Sequence, residues 1–137
     1  MPDNPGTLKK YNKARKHNQV YFRAKKSEPV VTVLISTFNR PRYFAEALES
    51  IVRQDYRNLQ IIAANDGGED VSDIVNSYDD PRLLFINRKE NRGLPYTLNE
   101  ALAQAQGKYI CYLGDDDLFY PKGLSQKLRM AAKIAID

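Results

Sequence analysis

The sequence predicts an α/β fold, a mostly parallel sheet with helices on both faces. Three observations predict it. Four short apolar runs, rich in β-branched and aromatic residues, alternate with stretches of helical period. The first run is apolar on both faces, as a central parallel strand between helices must be. The resulting order, β-α-β-α-β-α-β-α, implies parallel strands joined by crossover helices.

Residues 1–29 stand apart. They open with Pro and Gly and hold eight basic residues against Asp3 and Glu28, a net of +6, while the remainder carries −2 of the total +4. This reads as a basic leader, loosely ordered or with one helix over Leu8 to Phe22, which Tyr21 and Phe22 can pin to the domain. Its charge suits a weak contact with an anionic membrane surface, and a merely solvated leader stays open as the alternative. The basic pI belongs to the leader, and no nucleic acid partner is expected.

The domain spans 30–137. Val30 to Ile35 is the first strand, ending in a polar loop over Ser36 to Arg40. Pro41 suits a first helical turn, and Phe44, Ala47, Leu48, Ile51 and Val52 then form an apolar helical face. Leu59 to Ala64 is the second strand, with the exit Asn65-Asp66-Gly67-Gly68. Val71, Ile74, Val75 and Tyr78 mark a short helix. Arg82 to Ile86 is the third strand, with a polar exit from Asn87 to Gly93. Leu94, Leu98, Ala101, Leu102 and Ala105 mark a third helix, with Gly107 in the C′ role. Tyr109 to Leu113 reads as a fourth, buried strand. It stops at Gly114 and three carboxylates, Asp115, Asp116 and Asp117. Pro121 opens a last helix with Leu124, Leu128, Ala131, Ala132 and Ala135 on one side.

At 137 residues, with 42% apolar and 28% charged content, the chain is ordinary for one soluble domain. No apolar run approaches the roughly 20 residues of a membrane span. The expected compartment is the cytoplasm, at the inner face of the membrane if the leader binds there. Cys111 is the single cysteine, which excludes an internal disulfide and a multi-Cys metal site.

In such a sheet, ligands bind outside the carboxyl ends of the strands, and four polar exits collect there. Two carboxylates about 6 Å apart repel by roughly 3 kcal/mol at an effective dielectric of about 20. A bound cation, a raised pKa or plain solvent can offset that repulsion. The oxygen ligands suit Mg²⁺ or Mn²⁺ shared with a phosphate, and a solvated acidic turn stays open as the alternative. Neither G-x-x-x-x-G-K-[ST] nor G-x-G-x-x-G is present. A diphosphate here would need a metal and basic side chains, for which Arg40, Arg88 and Arg92 are candidates. A receiver-like phosphorylation domain fits poorly, because Ser36-Thr37 and Asn87 stand where its acids belong.

The ordered set Val31-Thr-Val-Leu-Ile-Ser-Thr-Phe-Asn-Arg40, Glu46 to Gln54, Asn65-Asp-Gly-Gly68, Asn91-Arg-Gly93, Gly107 to Ile110 and Asp115-Asp-Asp117 resembles the family 2 glycosyltransferases. The resemblance implies a Rossmann-like GT-A fold, a nucleotide-diphosphate sugar donor (a UDP-sugar first), and a DXD-type acidic motif holding Mn²⁺ or Mg²⁺. By resemblance Asp66 accepts the base imide N–H, and Thr37 and Asn39 line the base and ribose pocket. Arg40 and Arg92 belong to the nucleotide site. Asp115 contacts the ribose or the metal's water shell, and Asp116 ligates the metal. Asp117 is the further metal candidate. The working pair stays open, because many relatives carry an acid where Gly114 stands; many also carry Asp where Asn65 stands.

Family domains continue well past the acidic motif, so the chain reads as the truncated donor half of such an enzyme. No general base is assigned, the acceptor (a saccharide or lipid-linked sugar) is unknown, and self-association through exposed apolar surface is expected. A non-catalytic nucleotide-sugar-binding module of the same fold is the alternative.

Overall fold

The computed structural model describes residues 30–136; the leader expectations lie outside them. The chain runs β1 (Val31–Thr37), α1 (Pro41–Val52), β2 (Leu59–Asp66), α2 (Ser72–Asn76), β3 (Leu83–Arg88), α3 (Leu94–Leu102), β4 (Tyr109–Gly114) and α4 (Gly123–Ile136). All three strand pairings are parallel, in the order β3-β2-β1-β4. The chain therefore builds outward from β1 to β3, then crosses back to the other side of β1. That reversal leaves a crevice at the carboxyl ends of β1 and β4.

The alternation of side chains along each strand sorts the core into two layers. Val33, Ile35, Ile61, Ala63 and Phe85 pack under Phe44, Leu48 and Ile51 of α1, Val75 of α2 and Leu124 of α4. Leu34, Ile62, Ala64, Leu84 and Ile86 pack under Leu98 and Ala101 of α3. Helices on both faces, and a mostly parallel sheet, are as expected.

Two local expectations are corrected. Among the described residues, β4 is an edge strand rather than a buried one. α3 lies over β1 and β2 and stops short of it, so Ile110 is 51% and Tyr112 44% exposed, while Leu113, on the other face, is buried. The third helix also ends early, at Leu102. Beyond it, buried Gln60 donates to the Gln104 carbonyl and accepts from the Gln106 N–H, and Thr32 Oγ1 accepts from the Gly107 N–H at 2.9 Å. These bonds pull the chain down onto the sheet. A Cβ at residue 107 would lie 2.6 Å from the Thr32 backbone nitrogen. Gly107 is thus required for close approach rather than for a helix cap.

At the opposite edge of the sheet, Arg82 anchors the start of β3. Its side chain is 3% exposed, and it donates to the Arg57 and Val52 carbonyls and to both Asp80 oxygens, the shortest contact being 2.7 Å. Burial works against ionisation of Asp80, but the hydrogen bonds and charge of Arg82 outweigh it and hold the carboxyl below its usual range. A lowered folded pKa gives stability that is present above the unfolded carboxylate pKa and lost as pH falls through the folded value. Asp80→Asn is expected to cost about 3 kcal/mol at neutral pH, because it strands a buried guanidinium. It should also flatten the acid limb of the stability curve. Urea unfolding at several acidic and neutral pH values checks both.

Candidate functional site

The crevice is an open cleft of about 290 Å³. β1 contributes Ser36 and Thr37 at its floor, followed by Phe38 and Arg40. Asp66 ends β2, Gly93 and Leu94 begin α3, and β4 brings Tyr112 and Asp115. Ser36, Thr37 and Asp66 lie at the very ends of their strands and still pair with neighbours, while Phe38, Arg40 and Asp115 lie just beyond the strand ends.

The acidic turn forms the mouth. The Asp117 N–H donates to the Gly114 carbonyl at 3.0 Å, closing the turn. Asp115 is held from β1, since Thr37 Oγ1 donates to its Oδ2 at 3.0 Å. Arg40 Nη1 lies 3.6 Å from Asp115 Oδ1 and 3.3 Å from Asp116 Oδ2. One cationic group therefore already sits between two carboxylates. Such a pair fits a divalent cation that takes its other ligands from phosphate and water. The trio expected from sequence is not brought together: among the described residues, no three His, Cys, Asp or Glu side chains gather as a metal-binding group. Asp117 is exposed. A Cβ at Gly114 would lie 3.1 Å from Asp117 Oδ2 and 3.2 Å from Asp116 Oδ1, so a side chain there would displace these two exposed carboxylates slightly.

Asp66 forms the back wall, 5% exposed. Its Oδ1 accepts from Arg88 Nη1 at 2.6 Å and the Arg92 N–H at 2.9 Å. Its Oδ2 accepts from the Gly93 N–H at 2.9 Å and Asn91 Nδ2 at 3.2 Å. All four lone-pair directions of the carboxylate are thus occupied. The loop so bound comes close to the β2 exit. A Cβ on Gly67, whose φ is 73°, would lie 2.3 Å from the Asn91 backbone nitrogen.

The structure separates the expected site residues into two groups. Thr37, Arg40, Asp66 and Asp115 meet at the cleft, with Asp116 on its rim. Asn39 and Arg92 flank it. Asn39, with φ 55°, accepts the Glu69 N–H on its Oδ1 at 2.7 Å and so ties two loops together. The Arg92 side chain lies against Tyr96, donating to its hydroxyl at 3.2 Å, and pairs with Glu90. Arg88, a candidate for diphosphate charge, is 7% exposed and committed to Asp66, Thr97 and Glu100. Phe38 and Tyr112 line the cleft without having been singled out. The Tyr112 hydroxyl lies 3.1 Å from Ser36 Oγ. An aromatic residue directly after a strand exit was the available signal for Phe38; for Tyr112 the buried reading of β4 concealed it.

Asn65 also has a structural reason. Only 1% exposed, it donates through Nδ2 toward the Glu69 carbonyl at 3.0 Å and Asn87 Oδ1 at 3.2 Å, and accepts the Gly68 N–H. A carboxylate has no N–H for those oxygens.

A family model, Glycosyl transferase family 2, matches residues 32–134. Uncharacterized glycosyltransferase RT0329 of Rickettsia typhi is 35% identical over 107 residues, covering 77% of this chain and 33% of that protein. S. aureus TarS 1-349, solved in complex with UDP-GlcNAc, has a TM-score of 0.69 and 25% identity, over 75% of this chain and 31% of that one. The mannosyltransferase PcManGT from Pyrobaculum calidifontis, in complex with GDP-Man and Mn²⁺, has a TM-score of 0.60 and 24% identity, over 82% and 39% of the two chains, and shares the fold. The chain spans about a third of the length of these relatives.

Placing at 65 the acid that the family resemblance suggested is expected to harm this chain. Asn65→Asp places a buried carboxylate against carbonyl oxygens, which should cost about 2–3 kcal/mol at neutral pH. The penalty should shrink as pH falls, because such a carboxyl has a raised pKa and its neutral form regains a donor. Chemical denaturation at neutral and mildly acidic pH measures the difference.

Proposed function

The chain belongs to glycosyl transferase family 2, and on that premise we propose that its cleft binds the nucleoside diphosphate of a nucleotide-sugar donor, a UDP-sugar first. The observation that carries the reading is the pairing of Asp115 and Asp116 around one positive charge at the mouth of a cleft backed by Asp66. A volume of about 290 Å³ is of the order of small-ligand sites.

In this reading the base enters toward Asp66, beside Thr37 and the exposed ring of Phe38. An imide N–H reaching Asp66 takes the place of Asn91 Nδ2, the longest of the four contacts. Asp115, fixed by Thr37, faces the ribose or the water shell of the metal. Asp116, with Asp115 beside it, would hold Mg²⁺ or Mn²⁺, which would offset charge on the departing diphosphate. Arg40 adds positive charge at the same place. Asn39 acts by holding the loop beneath the base, and Arg92 by presenting its backbone N–H to Asp66.

Transfer also needs an oriented acceptor and usually a base near the attacking oxygen. The groups gathered at this cleft serve the donor half of the reaction, and donor hydrolysis is the activity they can support by themselves. A cleft built around the donor also suits a second reading, a nucleotide-sugar-binding module without transfer. Hydrolysis of labelled UDP-sugar above the uncatalysed rate selects the first.

Calorimetry with UDP tests the site. Mn²⁺ is expected to tighten UDP by about tenfold or more, a gain of roughly 1.4 kcal/mol, and Asp116→Asn should abolish that gain. Binding that ignores both the metal and the substitution sinks the metal assignment. Tighter binding of GDP than of UDP overturns the choice of base.

A further inference from the structure

Arg40 lies in the loop between β1 and α1, after the left-handed Asn39. Its side chain is half exposed, yet it turns toward the acidic turn and approaches both carboxylates with one nitrogen, at 3.6 and 3.3 Å. Asp115 cannot retreat, because Thr37 holds its other oxygen. The segment after the turn is fixed as well. Phe119 N–H donates to Ser50 Oγ, and buried Gln54 donates to the Tyr120 carbonyl and accepts the Leu124 N–H. Two adjacent carboxylates are thus pinned at both ends, and the charge that relieves their repulsion comes from within the chain.

We propose that Arg40 is a built-in counter-cation of the acidic turn: it keeps Asp115 and Asp116 assembled without metal and competes with a divalent cation for them. The proposal rests on the reading of these two residues as metal ligands. It has a consequence of unusual sign. Removing a positive charge from a nucleotide site ordinarily weakens everything that binds there. Here, losing Arg40 strengthens binding of the bare cation, because two carboxylates are released to it, and weakens UDP in the absence of metal, because the diphosphate loses a counter-charge beside the acidic turn. A general loosening of the fold cannot produce that opposition. Because the pair is largely exposed, the competition is modest.

The test uses the full chain and Mn²⁺ alone, followed by electron paramagnetic resonance of the free ion, on wild type, Arg40→Gln, Arg40→Lys and Asp116→Asn. Circular dichroism first establishes that each variant is folded. Arg40→Gln is expected to bind Mn²⁺ about three- to fivefold tighter, the range an exposed ion pair allows, and metal-free UDP several-fold more weakly. Arg40→Lys keeps the charge and should stay near wild type. Unchanged or weaker Mn²⁺ binding in Arg40→Gln overturns the proposal, as does equal tightening in Arg40→Lys. Should Asp116→Asn abolish Mn²⁺ binding while Arg40→Gln leaves it unchanged, the metal reading of the turn stands and the role of Arg40 falls. Mn²⁺ binding indifferent to Asp116→Asn overturns both.

Discussion

The carboxyl edge of the sheet depends on one buried ion pair. Arg88 and Asp66, each 7% exposed at the side chain, meet at 2.6 Å across the ends of β3 and β2. Neither is tolerable alone in that environment, since an isolated buried charge costs several kcal/mol. Arg88 spends its remaining donors on Thr97 and Glu100, and Asp66 accepts the backbone N–H groups that precede α3. One pair therefore fixes two strands, a loop and the first turn of a helix. Rigidity at the back of the cleft comes from complete hydrogen bonding rather than from apolar packing.

The mouth is built on the opposite principle. Asp115 is mostly covered and held by Thr37, Asp116 is exposed, and both face the exposed charge of Arg40 rather than a fixed set of backbone donors. What is fixed is the position of the turn. α1 runs along the segment that follows it, with Arg40 at one end and Ser50 and Gln54 at the other. A rigid back wall and an exchangeable counter-charge suit a site that recognises one part of a ligand by shape and hydrogen bonding and another by charge. The cleft has that division between Asp66 and the acidic pair.

Much of this was legible in the sequence. Element order, the two faces of each strand and the gathering of four polar exits at one edge follow from side-chain periods of 2 and 3.6, which are local properties of the chain. The loops and strand ends that carry Thr37, Arg40, Asp66 and Asp115 could be singled out because each ends an apolar strand of a parallel sheet; the roles of the single residues came from the family resemblance. Asn65 and Gly114 stood out as departures, and for Asn65 the structure supplies the reason in neighbouring oxygens.

Tertiary structure decided which polar residues remained available. Arg40, Arg88 and Arg92 are equivalent as sequence, all basic and all near a strand exit. Contacts between distant segments turn Arg88 inward to Asp66 and leave Arg40 facing the acids, whereas Arg92 is laid on Tyr96 by the local turn into α3. Thr37 meets Asp115 across 78 residues of chain, and no periodicity reports such a distance. Tyr112 reads as core until the strand order makes β4 an edge that α3 does not cover. A strand's own sequence determines that it alternates; its neighbours in space determine which of its two faces meets solvent, because burial is a property of the assembled sheet.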